Sequence, residues 1–265
     1  MSLSRKAASF LHRHPQVYGL AKRVVELRGL LPPAQVEGLP GRVHRNDLMA
    51  LDREGYRQSS KSHFEALSED LAEAGRPWDK ISDFIDFGCG YGRVTRWMPS
   101  VMPASGITAC DVNREAVRWC EKEFGVKGLA VKGSFVDTEF DRYDGLFACS
   151  VLTHLSNLRI SGFLHRLPQI LNPGGVAVFT GKSKQSAQNA SDINTHLQAD
   201  AVSRALDADG FFFEAYPHYR DPDLGDTYFT SEWLAAQLPE TLELFRCKPG
   251  RFWSHDGYVL IRKNN

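Results

Sequence analysis

Phe84-Ile85-Asp86-Phe87-Gly88-Cys89-Gly90-Tyr91-Gly92-Arg93-Val94-Thr95 decides the fold. A short apolar strand runs into three glycines within five residues and then opens a segment that reads as a helix over 92–98. Glycine adopts backbone angles closed to other residues and carries no side chain, so such a loop lets backbone amides and a helix N-terminus approach a ligand. This is a loop of the nucleotide-binding type. A dinucleotide fingerprint needs a further glycine three places after the second, where the helix packs on its strand, and Arg93 stands there instead.

The segments that follow keep the same rhythm. A second strand over 106–111 ends in Asp111, 19 residues beyond Gly92. A carboxylate at that tip accepts both hydroxyls of a ribose, or else caps the helix predicted over 113–124. A third strand over 127–132 leads into Gly133-Ser134-Phe135, and a fourth over 143–149 into Ser150. The helix predicted over 157–171 stops at Asn172-Pro173-Gly174-Gly175, where proline ends a helix and glycine permits positive φ, and a fifth strand covers 176–180. Strands alternating with helices imply a parallel sheet covered on both faces, with ligands at the carboxyl ends of the strands. The glycine loop, Asp111, Ser134 and Ser150 all fall at such ends.

The pattern Asp86-x-Gly88-x-Gly90-x-Gly92, the acid Asp111 and the run from Leu171 through Asn172-Pro173-Gly174-Gly175 to Phe179 together resemble the class I S-adenosylmethionine-dependent methyltransferases. The resemblance covers about residues 56–262. His255-Asp256-Gly257-Tyr258, the run Asp226 to Trp233, and Val151-Leu152-Thr153-His154-Leu155 are similar to a bacterial subgroup associated with glycan and secondary-metabolite pathways. What this implies is a Rossmann-like α/β fold, a seven-stranded mostly parallel sheet of order 3-2-1-4-5-7-6 with helices on both faces. An N-terminal helical extension and a cap inserted between strand five and the last helix complete it. The implied cofactor is S-adenosyl-L-methionine. Asp86, Gly88, Cys89, Gly90, Tyr91 and Gly92 would surround its amino-acid end, Asp111 and Val112 its ribose, Ser134 and Phe135 its adenine, with Ser150 at the tip of strand four. The family often has an acid where Ser134 stands. Phe135 offers an apolar face to the adenine or packs in the core, and Tyr91 either shields the methionine end or merely covers the loop.

Methyl transfer from a sulfonium is an in-line displacement, so the protein mainly positions the acceptor and excludes water. A hydroxyl acceptor gains from a base, and histidine titrates in the right range. His154, just after strand four, and His255, before the last strand, are the candidate bases; a helix-entry residue and a turn residue paired with Asp256 are their bland alternatives. Arg93, in the first turn of a predicted helix, opposes the helix dipole and calls for an anion, from a substrate, from Asp86 or from another acid. Cys149 to Thr153 offers no acidic cluster, so no metal is expected. The leading function is O-methylation of a small-molecule or sugar hydroxyl. N-methylation of an amine or amino sugar, and a catalytically inert methyltransferase-like scaffold, stay open beside it.

The 265 residues suffice for one α/β domain over 78–265 with a helical extension over 1–77. Residues 182–230 read as a substrate cap containing Phe211, Phe212, Phe213, Tyr216, Tyr219, Tyr228 and Phe229. Lys and Arg number 32 against 32 Asp and Glu, a balance that argues against a nucleic-acid partner. Five scattered cysteines in no metal-ligand or disulfide spacing point to a reduced, cytoplasmic protein. No apolar run is long enough to span a membrane. The first thirty residues hold six Lys or Arg against Glu26 alone, at roughly helical spacing, and suit a membrane surface, a partner, the chain's own domain or a homodimer mate. A helix over 52–74 brings Tyr56, Gln58 and His63 towards the predicted cofactor mouth. Residues 182–194 read as loop, 195–208 as helix, Ser231 as a cap, and Pro249-Gly250 as the turn between two final strands over 242–247 and 257–261.

Overall fold

The computed structural model describes residues 33–131, 135, 138–191, 199–217 and 219–264. The basic segment 1–30 and Ser134 lie outside them. A two-residue ribbon, β1 (Ala34–Gln35) with β2 (Arg42–Val43), leads to α1 (Arg53–Glu73), whose first turn is capped by the Asp52 carboxylate accepting from the Gly55 amide. Then come β3 (Phe84–Phe87), β4 (Ile107–Asp111), α2 (Arg114–Phe124), β5 (Lys127–Ala130), β6 (Tyr143–Ala148), α3 (Asn157–Ile170) and β7 (Leu171–Gly181). The chain continues through α4 (Lys184–Ser191), α5 (Ala199–Asp209), β8 (Phe211–Ala215), β9 (Gly225–Phe229), α6 (Ser231–Ala236), β10 (Leu242–Phe252) and β11 (His255–Arg262).

Seven strands form one sheet in the order β10-β11-β7-β6-β3-β4-β5. Counted along the chain this is 3-2-1-4-5-7-6, the order the resemblance implied. The five strands from β5 to β7 are parallel to their neighbours; β11 runs antiparallel to β7, and β10 antiparallel to β11. Every residue of β3 is buried, as a strand covered on both faces requires. Ile85 and Phe87 face a core completed by Ile160, Phe163, Leu164 and Leu167 of α3. Phe84, by the two-residue period of a strand, faces the opposite core with Ala66, Leu67 and Leu71 of α1. The chain leaves β3 towards β4 on one side and returns at β6 on the other, which opens a crevice at the carboxyl ends of β3 and β6.

Five local readings are decided by the structure. The segment after the glycine loop is a 3-10 turn, Thr95–Ser100, because Pro99 has no amide with which to extend a helix. The cap of α2 is Asn113, whose side chain accepts from the Glu115 and Ala116 amides, and this leaves Asp111 with other work. Residues 184–191 form α4 rather than loop, since Ala187 packs with Val202, Leu206 and Tyr228 into a small separate core of the insert. The last hairpin turns at Trp253-Ser254, while Pro249-Gly250 sits in an irregular stretch of β10 where the Gly250 amide donates to Asp256. Trp253 adopts φ 61°, costly for a bulky residue, and its indole donates to the Ser62 hydroxyl of α1 at 3.0 Å. Thr230, not Ser231, caps α6.

Candidate active site

The loop after β3 is shaped by three glycines at positive φ: Gly88 at 82°, Gly90 at 52° and Gly92 at 80°. A Cβ on Gly88 would lie 2.3 Å from the Val151 side chain, so glycine here lets the loop and the β6 tip close together. A Cβ on Gly90 would meet nothing within 4 Å, and the space above that residue is open to a ligand. Asp86, wholly buried beneath, accepts from the Thr95 hydroxyl at 2.5 Å, and burial pushes its carboxyl up to about 6. Cys89 is buried as well. Tyr91 covers the loop from outside: its ring stacks on His44 at 4.3 Å and its hydroxyl donates to Glu115 at 3.0 Å.

Asp111 holds the neighbouring corner. One carboxylate oxygen accepts from the Gly90 amide and the other from the Asn113 amide, both at 2.8 Å. A carboxylate has about four acceptor positions, so each oxygen of this half-buried group keeps one for a ligand hydroxyl. Val112 beside it is 67% exposed. Phe135 is buried edge-on against Phe87 and Phe163, which is core packing. These residues, with open space over Gly90 and a free acceptor pair on Asp111, fit an adenosyl ligand.

Beyond the loop, Ser150 adopts φ 56°, and its amide donates to the Thr180 hydroxyl at 2.7 Å. Its own hydroxyl lies 3.4 Å from Nδ1 of His255, so the tips of β6 and β11 meet. His154 Nδ1 lies 2.7 Å from the Tyr216 hydroxyl, which also donates to Asp226 at 3.3 Å. Lys182 donates to the same Asp226 oxygen at 2.6 Å. Burial alone would raise the Asp226 carboxyl, but Lys182 wins and holds it below the ordinary value. The insert is pinned to the His154 turn by the Thr227 hydroxyl, which donates to the Leu155 carbonyl at 2.6 Å. His154, His255 and Ser150 are thus brought to one side of the crevice with Lys182, Tyr216 and Asp226. The latter three were not picked out as a network from the sequence, where only the aromatic character of the insert pointed to Tyr216.

Of the three α1 candidates, Tyr56 is buried and donates to Asp47, Gln58 is exposed and bonds Glu54, and only His63 approaches the crevice, with Trp253 at 6.0 Å between ring centroids. Burial, reinforced by nearby positive charge, pushes both His63 and His255 down to about 3. The unfolded chain protonates these rings near 6.5 while the folded chain refuses the proton until about 3, so stability falls as pH drops through that window. Asp86 acts oppositely between 3.8 and about 6, where the folded state binds the extra proton. The two histidines outweigh the single carboxyl, so stability is expected to fall between about pH 6 and pH 4. Thermal unfolding across that range checks it, and a transition temperature that does not fall would contradict it.

Among the described residues no group of three or more His, Cys, Asp or Glu is placed to hold a metal ion, and no helix is long and apolar enough to cross a membrane. Residues 84–175 match the family model described as a methyltransferase domain. N-terminal Xaa-Pro-Lys N-methyltransferase 1 of Ailuropoda melanoleuca is 25% identical over 135 residues, 48% of this chain and 60% of that protein. The chain therefore spans about three fifths of that relative's length. An S-adenosylmethionine-dependent methyltransferase from Clostridium acetobutylicum ATCC 824 superposes with a TM-score of 0.54 at 15% identity, over 81% of this chain and 96% of that one. N-methyltransferase NodS from Bradyrhizobium japonicum WM9, solved with S-adenosyl-L-homocysteine, does so with a TM-score of 0.51 at 15% identity, over 83% and 93%. At these identities the likeness is one of fold.

Proposed function

We propose that this chain, a methyltransferase of the class I fold, moves a methyl group from S-adenosylmethionine to a hydroxyl of a small molecule or sugar. The observation that carries the oxygen acceptor is the line His154–Tyr216–Asp226 at the edge of the crevice. When bound, S-adenosylmethionine supplies an electrophilic methyl carbon on a sulfonium. Asp111 receives the ribose hydroxyls, the open space over Gly90 admits the amino-acid end while Gly88 and Gly92 let the loop pack against Val151 and Phe124, and Ser150 lies at the strand tip facing the acceptor side.

His154 is the base. Tyr216, itself held by Asp226, accepts from the His154 Nδ1–H, which fixes the ring and leaves Nε2 to take the proton that the acceptor hydroxyl gives up. His255 is too weak a base at about 3 to take that proton, yet a neutral ring accepts or donates a hydrogen bond and orients the acceptor. Residues 182–230 act as the cap that keeps water out, and residues 1–77 form the extension before the catalytic domain. The cysteines, none of them in a disulfide, suit a reducing compartment, and we place the protein in the cytoplasm.

The test is transfer of labelled methyl from S-adenosylmethionine to a panel of sugars, phenols and amines. Removing a general base costs about 100- to 10,000-fold, so His154→Gln is expected to lower kcat by at least about 100-fold on a hydroxyl acceptor. His255→Gln should act mainly on KM. Turnover of amines alone, indifferent to His154→Gln, would replace this reading with N-methylation; cofactor binding with no turnover on any acceptor would favour the inert scaffold.

A further inference from the structure

Two imidazoles at the crevice have nothing negative beside them. The Nδ1–H of His63 donates to the Ser59 carbonyl of its own helix at 2.6 Å, and Nδ1 of His255 lies 3.4 Å from the Ser150 hydroxyl. Among the described residues neither ring makes a further hydrogen bond, which leaves Nε2 of each to a ligand. The two rings belong to one end of the last hairpin: His63 packs at 5.4 Å on Phe252, the cross-strand partner of His255. That end is fixed from both sides, since the Trp253 indole donates to Ser62 of α1 and the Ser254 carbonyl accepts from the Ser186 hydroxyl of α4 at 2.7 Å.

The charge around them is of one sign. Arg93 acts on His63, and Lys182, His154, His63 and Arg93 all act on His255, each of them against protonation. The acids of the neighbourhood are committed elsewhere. Asp226 accepts from Lys182 and Tyr216, Asp86 from the Thr95 hydroxyl, and Asp256 from the Gly250 amide. The expected pairing of Arg93 with Asp86 is not formed: the guanidinium donates to the Cys149 sulfur at 3.4 Å, and among the described residues no carboxylate oxygen lies within 4.0 Å of it. A cleft lined by one sign of charge draws the opposite charge in, and rings held neutral by cations take up a proton once an anion offsets them.

We propose that the methyl acceptor carries an anionic group, a carboxylate or a phosphate ester, and that His63 and His255 receive this group through Nε2. This rests on the methyl-transfer reading above and narrows the acceptor to acidic small molecules, sugar acids and sugar phosphates among them. His154 keeps its role as base, and the anion seated at the hairpin end turns a hydroxyl of the same molecule towards it.

Proton NMR of the imidazoles tests this on the unaltered chain loaded with S-adenosylhomocysteine, whose own carboxylate is then already in place. The signals of His63 and His255 are assigned through His63→Gln and His255→Gln, and their titration is followed in sodium chloride, in inorganic phosphate and in acetate at one ionic strength. At least one of the two anions is expected to raise the midpoints of both rings by about one pH unit or more, an about tenfold gain in proton affinity, while that of the exposed His165 stays in place. A response to phosphate alone assigns the site to phosphate esters, and one to acetate alone assigns it to carboxylates. Unmoved midpoints, or a shift that His165 shares, would overturn the proposal and leave methyl transfer intact. Failure of the chain to bind S-adenosylhomocysteine would remove the methyl-transfer reading itself and this proposal with it.

Discussion

Asp111→Ala is expected to weaken binding of S-adenosylhomocysteine by at least about 100-fold, because in the role proposed for Asp111 two ribose hydroxyls each lose a charged acceptor at about 1.5 kcal/mol apiece. A second loss compounds the first. The same carboxylate holds the Gly90 amide and the Asn113 amide, so the substitution also frees the loop where it turns over the ligand. Asp111→Asn keeps one oxygen and the shape, and is expected to fall between the two. Calorimetry on the three proteins at one salt concentration gives the ranking, with far-ultraviolet circular dichroism to establish that each is folded. Unchanged affinity in Asp111→Ala would mean that Asp111 serves only the loop and that the ribose is held elsewhere.

Arg96→Met is the expected large effect on stability. Arg96 is 2% exposed, and its guanidinium donates to the carbonyls of Gly92, Pro40 and Arg42 and to the Tyr56 hydroxyl. Tyr56 in turn donates to Asp47 at 2.7 Å. One side chain thus ties the strap over 40–47 to α1 and to the glycine loop. Methionine fills much of the volume but leaves several buried acceptors without a donor, at about 1–3 kcal/mol each before relaxation. A net loss of about 3–5 kcal/mol and a fall of about 10 °C in the unfolding midpoint are expected. Arg57→Met, which breaks only the exposed pair with Glu54, should leave the midpoint where it was. Trypsin should also cut the strap at Arg42 or Arg45 faster in Arg96→Met. Equal midpoints for the two variants would show that the buried network contributes little.

The parallel core was legible because several of its strands carry a signal whose chemistry is local. Three glycines follow β3, an acid ends β4, and Asn172-Pro173-Gly174-Gly175, read as a turn before a strand over 176–180, is the irregular start of β7. What misled were breakers that tertiary pairing overrides. Pro249-Gly250 looks like a turn, but β10 continues past it because Phe252 pairs with His255 and the Gly250 amide finds Asp256. Likewise α4 looks too polar to fold, since its reason to exist, Ala187 against Val202 and Tyr228, lies in other segments. The site divides in the same way. Gly90 and Asp111 stand in motifs, whereas Lys182 meets Asp226 across 44 positions and His154 meets Tyr216 across 62, with no periodicity to join them. Arg96 carries no motif either; its partners come from the strap, α1 and the loop.

The place of β11 in the sheet bears on how the chain is made. It follows the other strands of the sheet along the chain, yet it lies between β7 and β10, pairing Asp256 to Ile261 with Gly181 to Val176. Until those residues leave the ribosome, one edge of β7 has no neighbour, and an uncovered apolar strand edge is a template for foreign strands. A nascent chain halted near residue 250 would be sticky, and closure of the sheet waits until residues 256–261 have cleared the ribosome.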